Sequence, residues 1–418
     1  MGWNSWDCYM SAVTEAELLE NARYQAEHLL PYGWEYVTCD IQWYEPTAGT
    51  RPGCEYIPFA PLCMDGYGRL IPAENRFPSS TGGKGFAPIA AELHRLGLKF
   101  GIHIMRGIPR QAVYARTPVL NSGYTADQIA DPSSICLWNS DMFGTRKDHP
   151  GAQAYYDSLF ELYASWGVDF VKVDDIANTG EAESGGYAAA HEIEMIRRAI
   201  DRCGRAIVLS LSPGPASVEK AWHLSQNANM WRITNDFWDN WALLKNMFTR
   251  CEIWQSHVGP GCWPDCDMLP LGRIGVRFGQ PRQTRFTPDE QKTLLTLWSI
   301  FHSPLILGAE LPSLDEATLR LLTNRDVLRL NRHSFGARQI VRDDAHAVWV
   351  SQDEDGSRYA ALFNLSEKPR EVSLDLRELE GETFACRELW SGEERTAQET
   401  LSCVIEPHGA RLFRCTEC

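Results

Sequence analysis

Lys172 and Asp174 stand two residues apart near the end of the run Val168-Asp169-Phe170-Val171-Lys172-Val173-Asp174-Asp175. A β-strand turns successive side chains to opposite faces. Phe170, Lys172 and Asp174 therefore share one face, and Val171 and Val173 the other. A lysine on a buried face needs a charged partner or a ligand. The plainer role for Asp174 or Asp175 is to cap the next segment. Other strand-like runs carry polar groups in the same way. Asp40 closes the run from Trp34, His103 lies between Leu98 and Ile104, and Ser212 closes the run from Ala206. Arg232 and Asp236 lie in the run that starts at Met230. Two carboxylates on different strands, flanked by tryptophan and arginine, suit glycoside hydrolysis. One ionised Asp attacks the anomeric carbon, and the other protonates the leaving oxygen. Lys172 and Arg232 are the cations that would keep Asp174 ionised. A tryptophan gives the apolar face of a sugar a surface to stack on.

These residues need a scaffold that brings strand ends together. Helical patterns alternate with the strand-like runs. Thr14 and Glu17 have capping-box spacing, and Leu18, Leu19, Ala22 and Ala26 recur at helical intervals. Helices near 86–96, 151–166 and 186–203 each end at a glycine, Gly97, Gly167 and Gly204. A further strand is read at Pro304–Gly308, and the weakest near Ile253–His257. Such alternation means βα units around a parallel sheet. About eight units predict a (β/α)8 barrel, a TIM barrel, whose site lies at the C-terminal ends of the strands. A doubly wound sheet would carry a Gly-rich phosphate turn after a strand, and none follows one. The Gly- and Pro-rich loop from about 44 to 83 is long enough to be a functional rim. After Arg332 short runs at turn-like spacing predict a small antiparallel β-sandwich domain. The expected division is a catalytic barrel over 1–330 and a β-sandwich over 331–418.

Composition narrows the function classes. The chain has 418 residues and a formal net charge of −15, which argues against nucleic acid as a partner. No apolar run approaches the ~18 residues a membrane helix needs. Structural sequence starts at Gly2 without a signal peptide, so a cytoplasmic location is expected. The 13 cysteines are an odd number scattered along the chain, which fits reduced thiols. Cys251, His257, Cys262 and Cys266 fall close together, but zinc sites favour tighter pairs such as C-x2-C, so no metal is expected.

Several stretches, in order, carry a resemblance: GWNSW at the start, CDIQW, LKFGIHI, ASWGVDFVKVDD, WRITND, GPGCWPDCDML, HSPLILG and LLTNRDVLRLN. Together they resemble glycoside hydrolase family 27, the α-galactosidase and α-N-acetylgalactosaminidase family, over nearly the whole chain. The resemblance implies the barrel and C-terminal sandwich, exo-cleavage with retention of configuration, and no cofactor. It implies Asp174 as the nucleophile, Asp236 as the general acid/base, Lys172 on the sugar hydroxyls and Arg232 on the 2-hydroxyl. Trp6 matches the tryptophan under the sugar ring and Asp40 the first of two adjacent sugar-binding acids. Asp267 matches the family's Asp-Met near the pocket floor, with Trp263 just upstream. Retention would set the two catalytic carboxyls roughly 5–5.5 Å apart.

Three departures bear on the substrate. Ile41 replaces the second of the paired acids, which in the family helps hold the galactose 6-hydroxyl. An isoleucine offers no acceptor, and a buried hydroxyl left without one costs about 1–3 kcal/mol. β-L-Arabinopyranose is galactopyranose without that CH2OH arm, so Ile41 suits it unless a residue of the 44–83 loop supplies the acceptor. Ser212 stands where animal-type α-galactosidases carry a glutamate and N-acetylgalactosaminidases a serine, but Pro213-Gly214-Pro215 differs from both. His103 stands where the family often has tyrosine; it binds sugar or hydrogen-bonds inside the barrel mouth. The expected partner is a small glycoside or oligosaccharide, and homo-oligomerisation stays open. The readings weighed against a galactosidase or arabinopyranosidase are an α-N-acetylgalactosaminidase, a catalytically silent carbohydrate-binding protein and a metal-dependent hydrolase.

Overall fold

The computed structural model describes residues 1–178, 187–277, 279 and 281–418. By contacts the chain divides into two compact units. The first takes in Met1–Asp236, Met268–Gln283 and Ile306–Leu314; the second takes in Phe237–Asp267, Thr284–Leu305 and Asp315–Cys418. The fold is a (β/α)8 barrel followed by an antiparallel β domain.

In the first unit the parallel strands are β1 (Gly2–Asn4), β2 (Tyr36–Cys39), β3 (Lys99–Met105), β4 (Phe170–Asp174), β5 (Val208–Leu211) and β6 (Met230–Arg232). Each pairs in parallel with its neighbour in sequence. The strand β7, Trp263–Asp265, belongs to the second unit. The last, β8 (Ile306–Leu307), returns to pair with β1. Each of β1–β4 feeds a helix, and the sequence explains where these start and stop. Helix α1, Glu15–His28, carries the expected reciprocal capping box between Thr14 and Glu17. Helix α2, Ala87–Arg95, has its proline in the first turn. Helix α3, Pro150–Trp166, stops at Gly167, whose φ of +84° is the left-handed value a glycine cap supplies without a Cβ penalty. Helix α4 spans Ala190–Arg202. Residue 186, at the start of the expected range, lies outside the described residues.

One expected strand is corrected. Residues Ile253–His257 are helical, the end of α5 (Trp241–Trp254) and the 3-10 turn after it. Asn240 caps this helix by accepting from the Ala242 and Leu243 amides. Its buried side chains Leu244, Met247, Phe248 and Cys251 follow the helical period, not the alternation of a strand.

The second unit holds an antiparallel sheet. Its strands are β9 (Ser334–Arg342), β10 (His346–Asp353), β11 (Arg358–Asn364), β12 (Arg370–Asp375), β13 (Thr383–Glu388), β14 (Glu394–Gln398), β15 (Thr400–Ile405) and β16 (Ala410–Glu417). Their order is β9-β10-β11-β16-β13-β14-β15-β12. Val348, Val350, Leu362, Leu374, Phe384 and Phe413 meet in one core, and the alternate residue Trp349 packs edge-on against Phe301. Both faces of β10 are thus buried, which is why it reads as a continuous apolar run. All thirteen cysteines are free thiols; Cys251 and Cys266 approach to 3.6 Å between sulfurs. Among the described residues no helix is long and apolar enough to cross a membrane.

Candidate active site

The strand β4 delivers its side chains as the alternation requires. Val171 and Val173 are fully buried, while Lys172 and Asp174 turn to the other face. Strand register then sets their neighbours. His103 of β3 lies beside Lys172, and Ser210 of β5 lies on its other side. Lys172 Nζ donates to Asp40 Oδ2 at 3.1 Å, and Asn4 Nδ2 donates to the same oxygen at 2.8 Å. The Ile41 amide donates to Asp40 Oδ1 at 2.8 Å. Burial pushes the Asp40 carboxyl up. Lys172 and His103, with these hydrogen bonds, overcome that and hold it below its ordinary value.

Asp174 is held from both sides. Its Oδ1 accepts the Asp175 amide at 2.7 Å and its Oδ2 accepts His103 Nε2 at 2.9 Å. Burial again pushes the carboxyl up. The His103 hydrogen bond and charge outweigh it, helped by Lys172 and the Asp175 amide. The result lies well below the usual carboxylate range. His103 thus hydrogen-bonds inside the barrel mouth, and its partner is Asp174 itself. The Trp43 indole donates to the His103 carbonyl at 2.7 Å and fixes that point of β3. Asp175 faces elsewhere. It pairs with Arg106 at 2.9 Å, and Arg106 also meets Glu192 at 3.0 Å. The second acid of the run is therefore committed to a buried ion-pair network.

Arg232 ends β6, and its Nη2 donates to Asp236 Oδ1 at 3.1 Å. The Asp236 side chain is 59% exposed. Ser212 follows β5, and its hydroxyl is buried with no hydrogen-bond partner among the described residues. A Cβ at Gly214, where φ is +81°, would meet the Thr234 and Arg232 carbonyls at 2.5 and 2.7 Å, so this loop lies tight against β6. Ile41 is 1% exposed, directly after Asp40. Trp6 is half-buried at the start of the short helix Trp6–Tyr9 after β1, its amide held by Asn4 Oδ1 at 2.8 Å.

Asp40, His103, Lys172 and Asp174 are thus joined in one network, and Arg232 with Asp236 forms a second pair in the same unit. Trp263 and Asp267 fall in the second unit. Asp267 accepts the Phe237 amide at 2.7 Å, and its own carbonyl accepts the Trp298 indole at 3.0 Å. Two participants were not among the candidate residues the sequence singled out. Asn4 lies in the opening GWNSW, and only the register of β1 on β2 brings it to Asp40. Tyr56 lies in the 44–83 loop. Burial, and then the charges of Asp174, Asp40, Asp141 and Asp236, push its phenol well above its ordinary value. Cys251, His257, Cys262 and Cys266 form no group of three or more metal-ligating side chains among the described residues.

Residues 135–333 match the family model described as "Alpha galactosidase A", and residues 343–415 match the "Alpha galactosidase C-terminal beta sandwich domain". Alpha-galactosidase 2 of Arabidopsis thaliana is 24% identical over 427 residues, covering 100% of this chain and 89% of its own. The crystal structure of a family 27 β-L-arabinopyranosidase from Geobacillus stearothermophilus is 55% identical, with a TM-score of 0.97, covering 100% of this chain and 96% of that one. A variant of that enzyme, solved in complex with arabinose, is 54% identical with a TM-score of 0.97, covering 100% and 97%. A protein from Bacillus halodurans, named for a proposed α-N-acetylgalactosaminidase activity, is 50% identical with a TM-score of 0.90, covering 100% and 97%.

Proposed function

Because the chain belongs to glycoside hydrolase family 27 and is a glycosidase, we propose that it is a retaining exo-enzyme that removes terminal β-L-arabinopyranose in preference to α-D-galactopyranose. Asp174 is the nucleophile and Asp236 the acid/base. The observation that carries the roles is the contrast between the two carboxylates. Asp174 is held ionised by His103 and Lys172, while Asp236 is largely open to solvent on Arg232.

In the first step an Asp174 oxygen bonds to the anomeric carbon as the bond to the leaving oxygen breaks. The proton of Asp236 goes to that oxygen. In the second step water attacks the same carbon and gives a proton to Asp236. The ester opens, and Asp174 returns as a carboxylate. Asp40 and Lys172 hold sugar hydroxyls, Arg232 the 2-hydroxyl, and Trp6 the apolar face, with Ser212 on the same side of the barrel. The sugar preference rests on Ile41, a buried apolar side chain where a galactose 6-hydroxyl would need an acceptor. The 55% identity to a β-L-arabinopyranosidase supports the same preference.

The test is kcat/KM on nitrophenyl β-L-arabinopyranoside and nitrophenyl α-D-galactopyranoside, side by side. The arabinoside is expected to win by about tenfold or more, which is about 1.4 kcal/mol. Ile41→Asp should then move the ratio towards galactose. A galactoside that wins on the wild type overturns the Ile41 argument and leaves the catalytic pair standing. Turnover of only the N-acetylated sugar would move the assignment to Ser212.

A further inference from the structure

Two irregular stretches of the first unit lie against each other, the 44–83 loop and residues 136–141. The Tyr56 and Trp138 rings meet at 5.6 Å between centroids. The Phe59 amide donates to Ser140 Oγ at 2.8 Å, and Gln42 and Tyr44 both donate to Asp141 Oδ2 at 3.0 Å. Beside this seam lies a cleft of about 450 Å³ walled by Phe59, Arg110, Gln111, Tyr114, Ser140 and Asp141. That volume is within the range of small-molecule sites.

The lining is unusual for a surface. Phe59 is 70% and Tyr114 75% exposed, and Leu137 and Trp138 nearby are exposed as well. The Arg110 guanidinium lies 5.8 Å from the Phe59 ring centroid and 4.7 Å from that of Phe143. Its Nε donates to the Met142 carbonyl at 2.9 Å. Its two terminal NH2 groups have no hydrogen-bond partner among the described residues. Gln111, by contrast, is spent on the Leu62 amide and carbonyl and only shapes the wall. Open aromatic faces beside a planar cation match a sugar, which has an apolar C–H face and a rim of hydroxyls. One wall residue of the cleft, Asp141, is tied by a hydrogen bond to the segment that follows Asp40. Gln42, bound to Asp141, is two residues on from Asp40. Tyr56, packed on Trp138, lies in the combined field of Asp141, Asp40, Asp174 and Asp236.

We propose that this cleft binds the leaving-group part of an oligosaccharide, one or more sugar units beyond the bond that is cut. Phe59 and Tyr114 are the stacking surfaces, and Arg110 is the donor to hydroxyls. The inference rests on the glycosidase reading above and extends it: the preferred substrate is the end of a glycan chain rather than a simple glycoside.

The test uses a matched series. The terminal sugar the enzyme prefers is carried on nitrophenol, on galactobiose and on galactotetraose. The wild type is compared with Phe59→Ala, Tyr114→Ala and the double variant. The measured quantity is kcat/KM on the tetrasaccharide conjugate divided by that on the nitrophenyl glycoside. The double variant is expected to lose at least tenfold in this ratio, carried by KM. The rate of the second step, which is common to all three substrates because the leaving group has gone, should not follow the loss. A ratio within twofold of wild type overturns the proposal. So does light scattering that shows a wild-type oligomer which Tyr114→Ala dissociates, since the cleft is then a contact between copies. If the wild type cleaves none of the three, the glycosidase reading fails and this one falls with it. Cleavage without dependence on the cleft removes only this one.

Discussion

Asp174 in the first unit and Asp353 in the second are both buried aspartates whose ionised form the fold favours, and they differ in how many partners they have. Asp353 has its side chain 0% exposed. Its oxygens accept Arg329 Nε at 2.9 Å, Arg329 Nη2 at 2.6 Å, the Tyr359 hydroxyl at 2.6 Å and the Asp355 amide at 3.2 Å. A carboxylate has about four acceptor positions, so Asp353 is saturated. Asp174 is 12% exposed and accepts two hydrogen bonds, from the Asp175 amide and His103. Burial pushes both carboxyls up and their partners bring both down. One is a finished structural joint. The other is kept charged with acceptor capacity left over, the state a nucleophile needs. A depressed pKa alone therefore does not mark a site; the free acceptor capacity beside it does.

The largest expected effect tests that contrast directly. Asp174→Asn should lower kcat on the order of 10⁴-fold or more in a protein that still folds, as circular dichroism would show. Full turnover in the variant would remove Asp174 from the chemistry. Asp353→Asn should do the reverse. It leaves Arg329 without its bidentate partner beside a buried amide. Unfolding should cost about 2–3 kcal/mol less, at the low end for a broken ion pair because Arg329 is 35% exposed. Activity per folded molecule should stay unchanged. A variant that lost turnover without losing stability would erase the distinction between the two aspartates.

Much of the first network was legible because a strand has a two-residue period and the motifs lie on strands. Lys172 and Asp174 share a face for that reason alone, and Asp40 ends the run that lies two strands away. The capping box at Thr14 and the glycine stop at Gly167 were legible because each depends on a few adjacent residues. What was hidden depends on distant ones. The strand Trp263–Asp265 has three residues, too few to show a period, while the true helix before it ends in the apolar stretch read as strand. In β9 and β14 exposed polar residues blur the alternation, and in β13 an exposed Ala385 and a buried Glu388 hide it. Asn4 reaches Asp40 through the register of β1 on β2, Tyr56 meets Trp138 through loop packing, and Arg110 opens the helix Arg110–Ala115 that follows β3. In all three the partner lies far away in sequence. Helix α5 and the helix Pro288–Phe301 cluster with the C-terminal sheet because of contacts such as Phe301 on Trp349.

The smallest predicted effect probes the partner that distinguishes Asp174 from an ordinary surface acid. With its carboxylate ionised, Asp174 has no proton to share, so the hydrogen in the 2.9 Å contact sits on His103 Nε2. The other ring nitrogen is buried and has no partner among the described residues, so the ring is oriented by Asp174 and by packing. His103→Leu removes the donor, and the Asp174 carboxyl should rise towards its ordinary value. The sign for activity follows. A nucleophile that gains a proton at higher pH is lost sooner on acidification, so the acid limb of kcat/KM should move to higher pH. The plateau should fall about tenfold, near 1.4 kcal/mol. The sign for stability follows from the same linkage. A depressed carboxyl contributes stability above its unfolded pKa and loses it as the pH falls through the folded value. The variant should therefore lose less stability on acidification than wild type. His103→Gln, which keeps a donor of similar reach, should restore part of both. An acid limb that stays put in His103→Leu would mean that Lys172 and the Asp175 amide suffice to hold Asp174 ionised. His103 would then serve to fill space at the mouth of β3.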